Sequence, residues 1–323
     1  MKGYCIRRIL QMIPVFFAIL VTLFVIIELS PGNPLSGAQD PRMTAEQRAA
    51  LEVKFGLHRS GPEKFFTWII DTARGDLGMS TVHRRPVTAV LADALVPTVV
   101  LSFSALIFSM LVGIPLGILS AVKKGKIIDH ITAVFSFIGI SMPGFFFGLL
   151  LIWGFAITLG VSPVFGFSSN PLETRNFTPI QRVLDIAWHL TLPTIVLGLS
   201  NVAQFMRYTR SSMLEVIKQD YIRTARSKGL RESTIIFHHA FRNATIPIIT
   251  LLGIIIPTLI SGAAITESVF GLPGIGRIAV EAATSRNYPI IIGVAVMVSL
   301  ATLIASLLAD ICYAAADPRI RYE

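Results

Sequence analysis

The most constraining feature of this sequence is a set of six long apolar stretches. A helix needs roughly 20 apolar residues to cross a bilayer, because the hydrocarbon layer is about 30 Å thick and each residue adds about 1.5 Å. None of the six stretches contains a lysine or an arginine. They occupy residues 9–29, 96–122, 130–160, 189–206, 244–266 and 288–312. The sequence therefore predicts an all-α polytopic membrane protein with six transmembrane helices.

The composition supports lipid rather than water as the surroundings of this chain. Hydrophobic residues make up 53% of its 323 residues and charged residues only 15%. A soluble domain usually carries about 25% charged residues. This difference argues against an interpretation as two soluble domains.

The third stretch is too short for two crossings and too long for one straight helix. Two spans and a turn do not fit into residues 130–160, because each crossing alone takes roughly 20 residues. A single tilted or kinked helix fits better, and the sequence Met142-Pro143-Gly144 is the expected break.

The distribution of basic residues predicts the orientation of the spans. With both termini placed in the cytoplasm, 16 of the 28 lysines and arginines fall in the short segments 1–8, 123–129, 207–243 and 313–323. An excess of basic residues marks cytoplasmic loops. Cys5 and Cys312 then lie on the reducing side, so a structural disulfide is not expected. The first stretch exceeds the apolar region of a signal peptide, about 7–15 residues, and is interpreted as an anchor.

Four regions follow from this topology. Residues 1–29 are a cytoplasmic tip and the first helix. Residues 30–95 are an extracytoplasmic cap region, 96–312 a five-helix transmembrane core, and 313–323 a cytoplasmic tail. Within the cap region, the run 30–34 is a turn, Thr44 and Gln47 form a capping box for a helix ending near Gly56, and a second helix follows Pro62. This region either covers the mouth of a pathway or contacts a delivered substrate or its carrier protein.

Residues 207–243 form the most informative loop. Eight basic residues alternate there with apolar ones. The pattern predicts a short helix ended by Gly229, then a second helix that enters the fifth span with Pro247 in its first turns. Composition alone favours a helix lying on acidic lipid headgroups over a helix that docks a cytoplasmic partner.

The spacing within this segment carries a resemblance. Arg223-Thr224-Ala225 with Gly229, followed by His239 and Phe241-Arg242-Asn243, resembles the cytoplasmic EAA loop of bacterial ABC importer permeases. Arg223 and Thr224 replace the general motif's first Glu and Ala, which is typical of the peptide-importer subgroup. Three more stretches are similar to that subgroup: Arg7-Arg8 through Pro31-Gly32-Asn33-Pro34 (with Asn33 for the usual Asp), Glu267 through Gly276, and Asp310 through Arg321.

This resemblance implies a type I ABC importer permease core and its functional residues. The coupling helix of the family sits in a groove of the ATPase, which implies ATPase-coupling roles for Tyr221, Arg223, Thr224, Ala225, Arg226, Gly229, His239, Arg242 and Asn243. We therefore call residues 207–243 the coupling segment. Candidates for the extracytoplasmic gate are Pro143, Glu267, Phe270, Pro273 and Gly274. The implied partners are a homologous second permease, two cytoplasmic ATPases, an extracytoplasmic solute-binding protein and a peptide-like substrate.

Enzymatic chemistry is absent from the sequence itself. No phosphate-binding loop occurs, since the only Gly-Lys pair, Gly125-Lys126, is followed by Ile127. The chain is therefore expected to be no enzyme and to hold no cofactor, with ATP and magnesium bound by the ATPase partners. No metal site is expected at His238-His239, because adjacent helical residues point about 100° apart.

Alternative functions remain at this point. Nickel or metal chelates and glutathione-like compounds are alternative substrates of the same architecture. A stand-alone secondary carrier is a rival class, although the spans lack the row of carboxylates that such carriers often use.

Overall fold

The structure is a computed structural model that describes residues 2–29, 44, 46 and 60–316. The turn expected at 30–34, the Thr44–Gln47 capping box, the helix end near Gly56 and the motif at 317–321 lie outside these residues. Within them the chain is helical, and its only β feature is a single bridge between Met79 and Pro86. The predicted all-α class is confirmed.

Among the described residues, four helices are long and apolar enough to cross a membrane. Two bent helix pairs bring the number of candidate crossings to six, if each pair is one span. The first pair bends by 104° between Ser141 and Gly144, where the Met142-Pro143-Gly144 break was predicted. The second pair bends by 49° between Ala244 and Ile246. The long helices are α1 (Lys2–Leu29), α3 (Val87–Val122), α6 (Pro179–Val216) and α12 (Tyr288–Ala316).

The remaining helices are shorter. The first bent pair consists of α4 (Ile127–Ser141) and α5 (Gly144–Leu151), which continues as a π-helix over Ile152–Thr158. The second consists of α8 (Glu232–Ala244), with π-helical geometry over Ile235–Phe241, and α9 (Ile246–Ile255), which ends in a 3-10 turn at Ile256–Leu259. The others are α2 (Gly61–Ala73), α7 (Asp220–Ser227), α10 (Ala264–Val269) and α11 (Ile275–Thr284).

Helices α3 and α6 form the central pair of the fold. They approach closely because glycines lie at the contact: a Cβ atom on Gly113 would come within 2.7 Å of the Val202 carbonyl oxygen, and one on Gly117 within 2.6 Å of the Met206 carbonyl oxygen. From α6, Gly198 packs in the same way against Phe108 of α3. Any larger residue at these positions would force the two helices apart.

Both central helices extend beyond their apolar stretches. Helix α3 begins at Val87, and its first turns bury Val87, Val90, Leu91 and Ala94 against α11 and α12. Helix α6 begins after Thr178. The Thr178 hydroxyl accepts a hydrogen bond from the Gln181 backbone amide, and the Thr178 backbone amide donates one to the Gln181 side-chain oxygen. This capping box fixes the start of the helix.

Helix α2 packs on α1 through aromatic rings. Phe65 lies with its ring 5.1 Å from that of Phe24 and 6.1 Å from that of Phe17. Lys64 forms an ion pair of 2.9 Å with Glu28. The sequence had placed a helix after Pro62, and the structure begins it at Gly61.

Candidate coupling segment and Glu267 segment

The coupling segment folds as two helices joined by a tight turn. Helix α7 covers Asp220–Ser227, and Gly229 follows it with φ +73°, the left-handed conformation that commonly ends a helix. Helix α8 begins at Glu232. The predicted helix, glycine stop and second helix are thus present. The chain then bends at Thr245, so Pro247 lies in the first turn of α9 rather than inside a continuous helix.

The buried face of this segment is apolar. Ile222 and Ala225 of α7 join Ile235, Ala240 and Ala244 of α8 in one cluster. The same cluster contains Ile118 and Ala121 from the end of α3, and Met213 from α6. Hydrophobic burial therefore seats the two short helices on the ends of the two central helices.

The opposite face of α7 is exposed and cationic. Tyr221, Arg223, Thr224 and Arg226 all lie on it, and the turn that follows exposes Gly229. Lys228 and Arg231 are exposed as well. Of the coupling residues predicted from the sequence, Ala225 alone is buried and His239 is half-buried. The structure thus places the predicted coupling residues together, with the basic ones facing away from the bundle.

An ion pair connects α7 to α8. The Arg226 guanidinium donates to both oxygens of Glu232, at 2.6 Å from Nη2 and 3.3 Å from Nε. The hydrogen bond to this carboxylate raises the pKa of Arg226 above its usual value. A second link joins the helices where the Asn243 amide donates to the Tyr221 hydroxyl at 3.0 Å and to the His239 carbonyl at 2.9 Å.

Glu267 is the centre of a second polar cluster. Its side chain is buried and accepts hydrogen bonds from the Thr98 hydroxyl at 2.8 Å, the Ala263 amide at 3.2 Å and the Arg277 amide at 2.9 Å. Residues 263–277, which we call the Glu267 segment, contain α10 and the start of α11. The cluster fastens this segment to α3.

The gate candidates occupy different positions around this segment. Phe270 is buried, and a Cβ atom on Gly148 of α5 would lie 3.3 Å from its ring. Gly274 is packed directly against the Glu267 carboxyl group. Pro273 is exposed on the same loop, and Pro143 lies at the break between α4 and α5. The structure brings Glu267, Phe270, Pro273 and Gly274 into one segment and places Pro143 on the helix pair packed beside it.

Sequence reasoning missed a third cluster. Asp129, in the first turn of α4, accepts two hydrogen bonds from Arg210 of α6, at 2.7 Å from Nε and 3.0 Å from Nη2. It also accepts from the Ser120 hydroxyl at 2.5 Å and the Gly125 amide at 3.0 Å. No local sequence motif predicts this pair, because its two residues are 81 positions apart.

A metal site has no support in the described part of the chain. No group of three or more His, Cys, Asp or Glu side chains is arranged there to hold an ion. His238 and His239 contact each other edge to face, with ring centres 5.3 Å apart.

Long apolar helices, an exposed basic helix seated on their ends and a polar cluster around Glu267 are the features of a polytopic helical membrane protein. Residues 113–322 match the family described as "Binding-protein-dependent transport system inner membrane component", and the chain belongs to this family. It is therefore a multi-pass inner-membrane permease subunit of an ABC importer, and it is not an enzyme. Membership implies ATPase and binding-protein partners.

Curated relatives match the chain from end to end. It is 38% identical over 323 residues to the oligopeptide transport system permease protein AppB of Bacillus subtilis (strain 168), with 100% of both chains covered. It is 36% identical over 338 residues to the dipeptide transport system permease protein DppB of Escherichia coli (strain K12), again with 100% of both chains covered.

Among solved structures, the fold is similar to that of the MetNI methionine ABC transporter in inward-facing conformations. The TM-score is 0.53, with 18% identity, over 71% of this chain and 97% of that one. A second crystal form of the same transporter gives a TM-score of 0.54.

Proposed function

We propose that this chain imports peptides, as one of two homologous permease subunits that enclose the translocation path. Two cytoplasmic ATPases and an extracytoplasmic solute-binding protein complete the transporter. The observation that carries the proposal is the end-to-end similarity to permeases named for oligopeptide and dipeptide transport. Nickel chelates and glutathione-like compounds have no comparable support.

The coupling segment supplies the contact with the ATPase in this proposal. Its apolar face is occupied by α3 and α6, while its cationic face is exposed. Such a surface fits a groove lined by acidic residues, since complementary charges steer association and fix register. Because Arg226 is held by Glu232 and Tyr221 by Asn243, α7 is presented to the partner in one orientation.

Alternating access then follows from two ligands that favour different end states. ATP binding by the partners favours one state, and the loaded binding protein favours the other. In this proposal, force on α7 reaches the bundle through the cluster of Ile222 and Ala225 with Ile118 and Ala121. The break at Pro143 and the loop carrying Phe270 and Pro273 form the gate at the far end.

Transport by the reconstituted complex tests this function. The chain is purified with its partner subunits and placed in proteoliposomes, with the binding protein outside and ATP inside. We expect uptake of labelled di- to pentapeptides that unlabelled peptides compete away. A nickel chelate and oxidised glutathione serve as competitors of the alternative classes, and competition by these alone would overturn the peptide assignment.

A crosslinking experiment tests the coupling surface separately. A cysteine at Arg223, on the exposed face of α7, is expected to crosslink to the ATPase subunit. A cysteine at Arg182, in the first turn of α6, serves as the control. Labelling of the Arg223 position by a lipid-phase reagent, without any crosslink to the ATPase, would favour the membrane-surface interpretation and reject this coupling role.

A further inference from the structure

Glu267 is the most completely enclosed acid among the described residues. Only 1% of its surface is exposed. Three donors surround its carboxyl group: the Thr98 hydroxyl and the Ala263 amide face one oxygen, and the Arg277 amide faces the other. Since both oxygens accept, the group matches its surroundings as a carboxylate and not as an amide.

The carboxyl group replaces a missing helix cap. Helix α11 has Gly274 at its N-cap position, with extended backbone angles (φ −97°, ψ 172°) and no side chain to accept from the first turn. The Arg277 amide, which an N-cap side chain could satisfy, donates to Glu267 instead. The Ile275 amide, also in the first turn, donates to the Thr98 hydroxyl at 2.8 Å. A Cβ atom on Gly274 would overlap the Glu267 carboxyl group. Helix α11 is thus capped by two residues that belong to other helices.

This arrangement fastens the first third of α3 to the Glu267 segment, while the far end of α3 contacts the coupling segment. Thr98 lies about three turns into α3, and Ile118 and Ala121 lie in the cluster with α7 and α8. Twenty residues of helix between Thr98 and Ile118 span about 30 Å, at about 1.5 Å per residue. A single helix therefore touches both places where the proposed function requires movement.

We infer that Glu267 is a positioning residue for transport, because its carboxylate makes the Glu267 segment follow α3. In this inference α3 carries displacement from the coupling segment to the loop of Phe270 and Pro273. The link consists of the Thr98–Glu267 hydrogen bond and the Thr98–Ile275 hydrogen bond. The inference rests on the proposed function and assigns to this residue the transmission of movement rather than contact with substrate.

Capping and fastening can be separated by mutation. Glu267→Ala removes both the cap of α11 and the link to α3. The double variant Glu267→Ala with Gly274→Asp provides α11 with an ordinary cap, because Asp is a strong N-cap residue and space for it opens once the glutamate is gone. The double variant restores the start of α11, but α10 no longer carries the carboxylate that accepts from Thr98. Glu281→Gln is the matched control, because Glu281 lies on the exposed side of the same helix, paired with Arg277.

Each variant is assembled into the complete transporter with its ATPases and binding protein. Two quantities are measured: the thermal midpoint of the complex, and the ratio of ATPase rates with and without loaded binding protein. We expect Glu267→Ala to lower both. In the double variant the thermal midpoint recovers, but the ratio of ATPase rates with and without loaded binding protein remains reduced about 5-fold or more. A reduction of this size corresponds to the loss of a typical coupling free energy between two sites. Glu281→Gln behaves as wild type.

Two results would overturn the inference. One is recovery of the stimulation ratio together with the thermal midpoint in the double variant, because Glu267 would then only cap α11. The other is full stimulation in Glu267→Gln, because the amide cannot accept from all three donors. Failure of the proposed function would be recognised differently, since wild-type complex would then show no peptide uptake and no stimulation at all.

Discussion

The side-chain amide of Asn243 donates a hydrogen bond to the hydroxyl of Tyr221 across 22 positions of sequence, with a nitrogen–oxygen distance of 3.0 Å. Tyr221 lies in the first turn of α7 and Asn243 near the end of α8. The bond therefore fixes the angle between the two helices of the coupling segment. The resemblance had assigned both residues to coupling without giving either a partner.

Removing one partner of this bond should weaken coupling modestly. Tyr221→Phe deletes the accepting oxygen and keeps the ring, and an ordinary hydrogen bond contributes about 0.5–1.5 kcal/mol. We expect peptide uptake to fall several-fold with little change in the thermal midpoint of the complex. Asn243→Ala should have a similar effect, and the double variant should be no worse than either. Strictly additive effects would mean that the two side chains act independently.

The effect of replacing Gly229 should depend on how well the new residue adopts the left-handed backbone conformation and not on the size of its side chain. A Cβ atom there would meet nothing within 4 Å, but φ is +73°, and the left-handed region costs other residues about 1–2 kcal/mol. We expect Gly229→Asn to keep most stimulated ATPase activity, Gly229→Ala to lose part, and the β-branched Gly229→Val to lose most. Equal loss in the Asn and Val variants would contradict this explanation.

Exchanging the charges of Arg226 and Glu232 separates their pairing from their contact with the ATPase. Arg226→Glu places two acids together and should lower both thermal midpoint and uptake. The exchange Arg226→Glu with Glu232→Arg restores an ion pair, and we expect it to recover the midpoint but not the uptake. Lys124→Glu, on the exposed turn between α3 and α4, controls for charge reversal in general. Full uptake by the exchanged variant would show that only the pair matters.

Arg242 is exposed near the end of α8, and its charge should contribute to ATPase binding. Arg242→Glu is expected to weaken the affinity between the permease and the ATPase, measured by binding of the isolated ATPase to the permease in nanodiscs. Because salt screens exposed charges beyond about 10 Å at 0.1 M, the difference from wild type should shrink at high ionic strength. A difference that is independent of salt would point to a conformational effect instead.

Among the polar links, mutation of the Asp129–Arg210 pair should lower the stability of the protein most. Removing one partner of a fully buried pair costs about 3–5 kcal/mol, and the 36% exposure of the Arg210 side chain places the expected loss at the lower end. Asp129→Asn should therefore lower the thermal midpoint clearly. Arg210→Lys, which keeps the charge but loses the two parallel bonds, should have a smaller effect. Arg207→Gln, on the exposed side of the same helix, should leave it unchanged.

Local patterns predicted much of this architecture. The six apolar stretches follow from hydropathy. The break before Pro143 follows from the missing amide donor of proline, and the helix end at Gly229 from a residue that adopts the left-handed conformation. Each of these signals acts within a few positions of the chain. The early start of α3 also had a local signal, because Val87, Val90, Leu91 and Ala94 have helical spacing. It was missed because Asp93 interrupts the apolar run. Thr178 and Gln181 likewise form a readable capping box.

The polar clusters could not be found in this way. Thr98 and Glu267 are separated by 169 positions, and Asp129 and Arg210 by 81. Their pairing depends on how α3, α6 and the shorter helices pack, which the spacing of residues along the chain does not encode. The sequence motif did place Glu267 and Gly274 together, and the structure shows the reason. The Glu267 carboxyl group occupies the space that a side chain on residue 274 would need.

The glycine at the start of α11 has a consequence for engineering. A designer who strengthens helix starts by the usual rule would replace Gly274 with Ser or Asp and anticipate a gain of a few tenths of a kcal/mol. In this protein the same replacement would collide with the Glu267 carboxyl group, which accepts hydrogen bonds from the Arg277 amide and the Thr98 hydroxyl. Stabilisation programmes for this permease therefore need to treat Thr98, Glu267 and Gly274 as one unit, changed together or left alone.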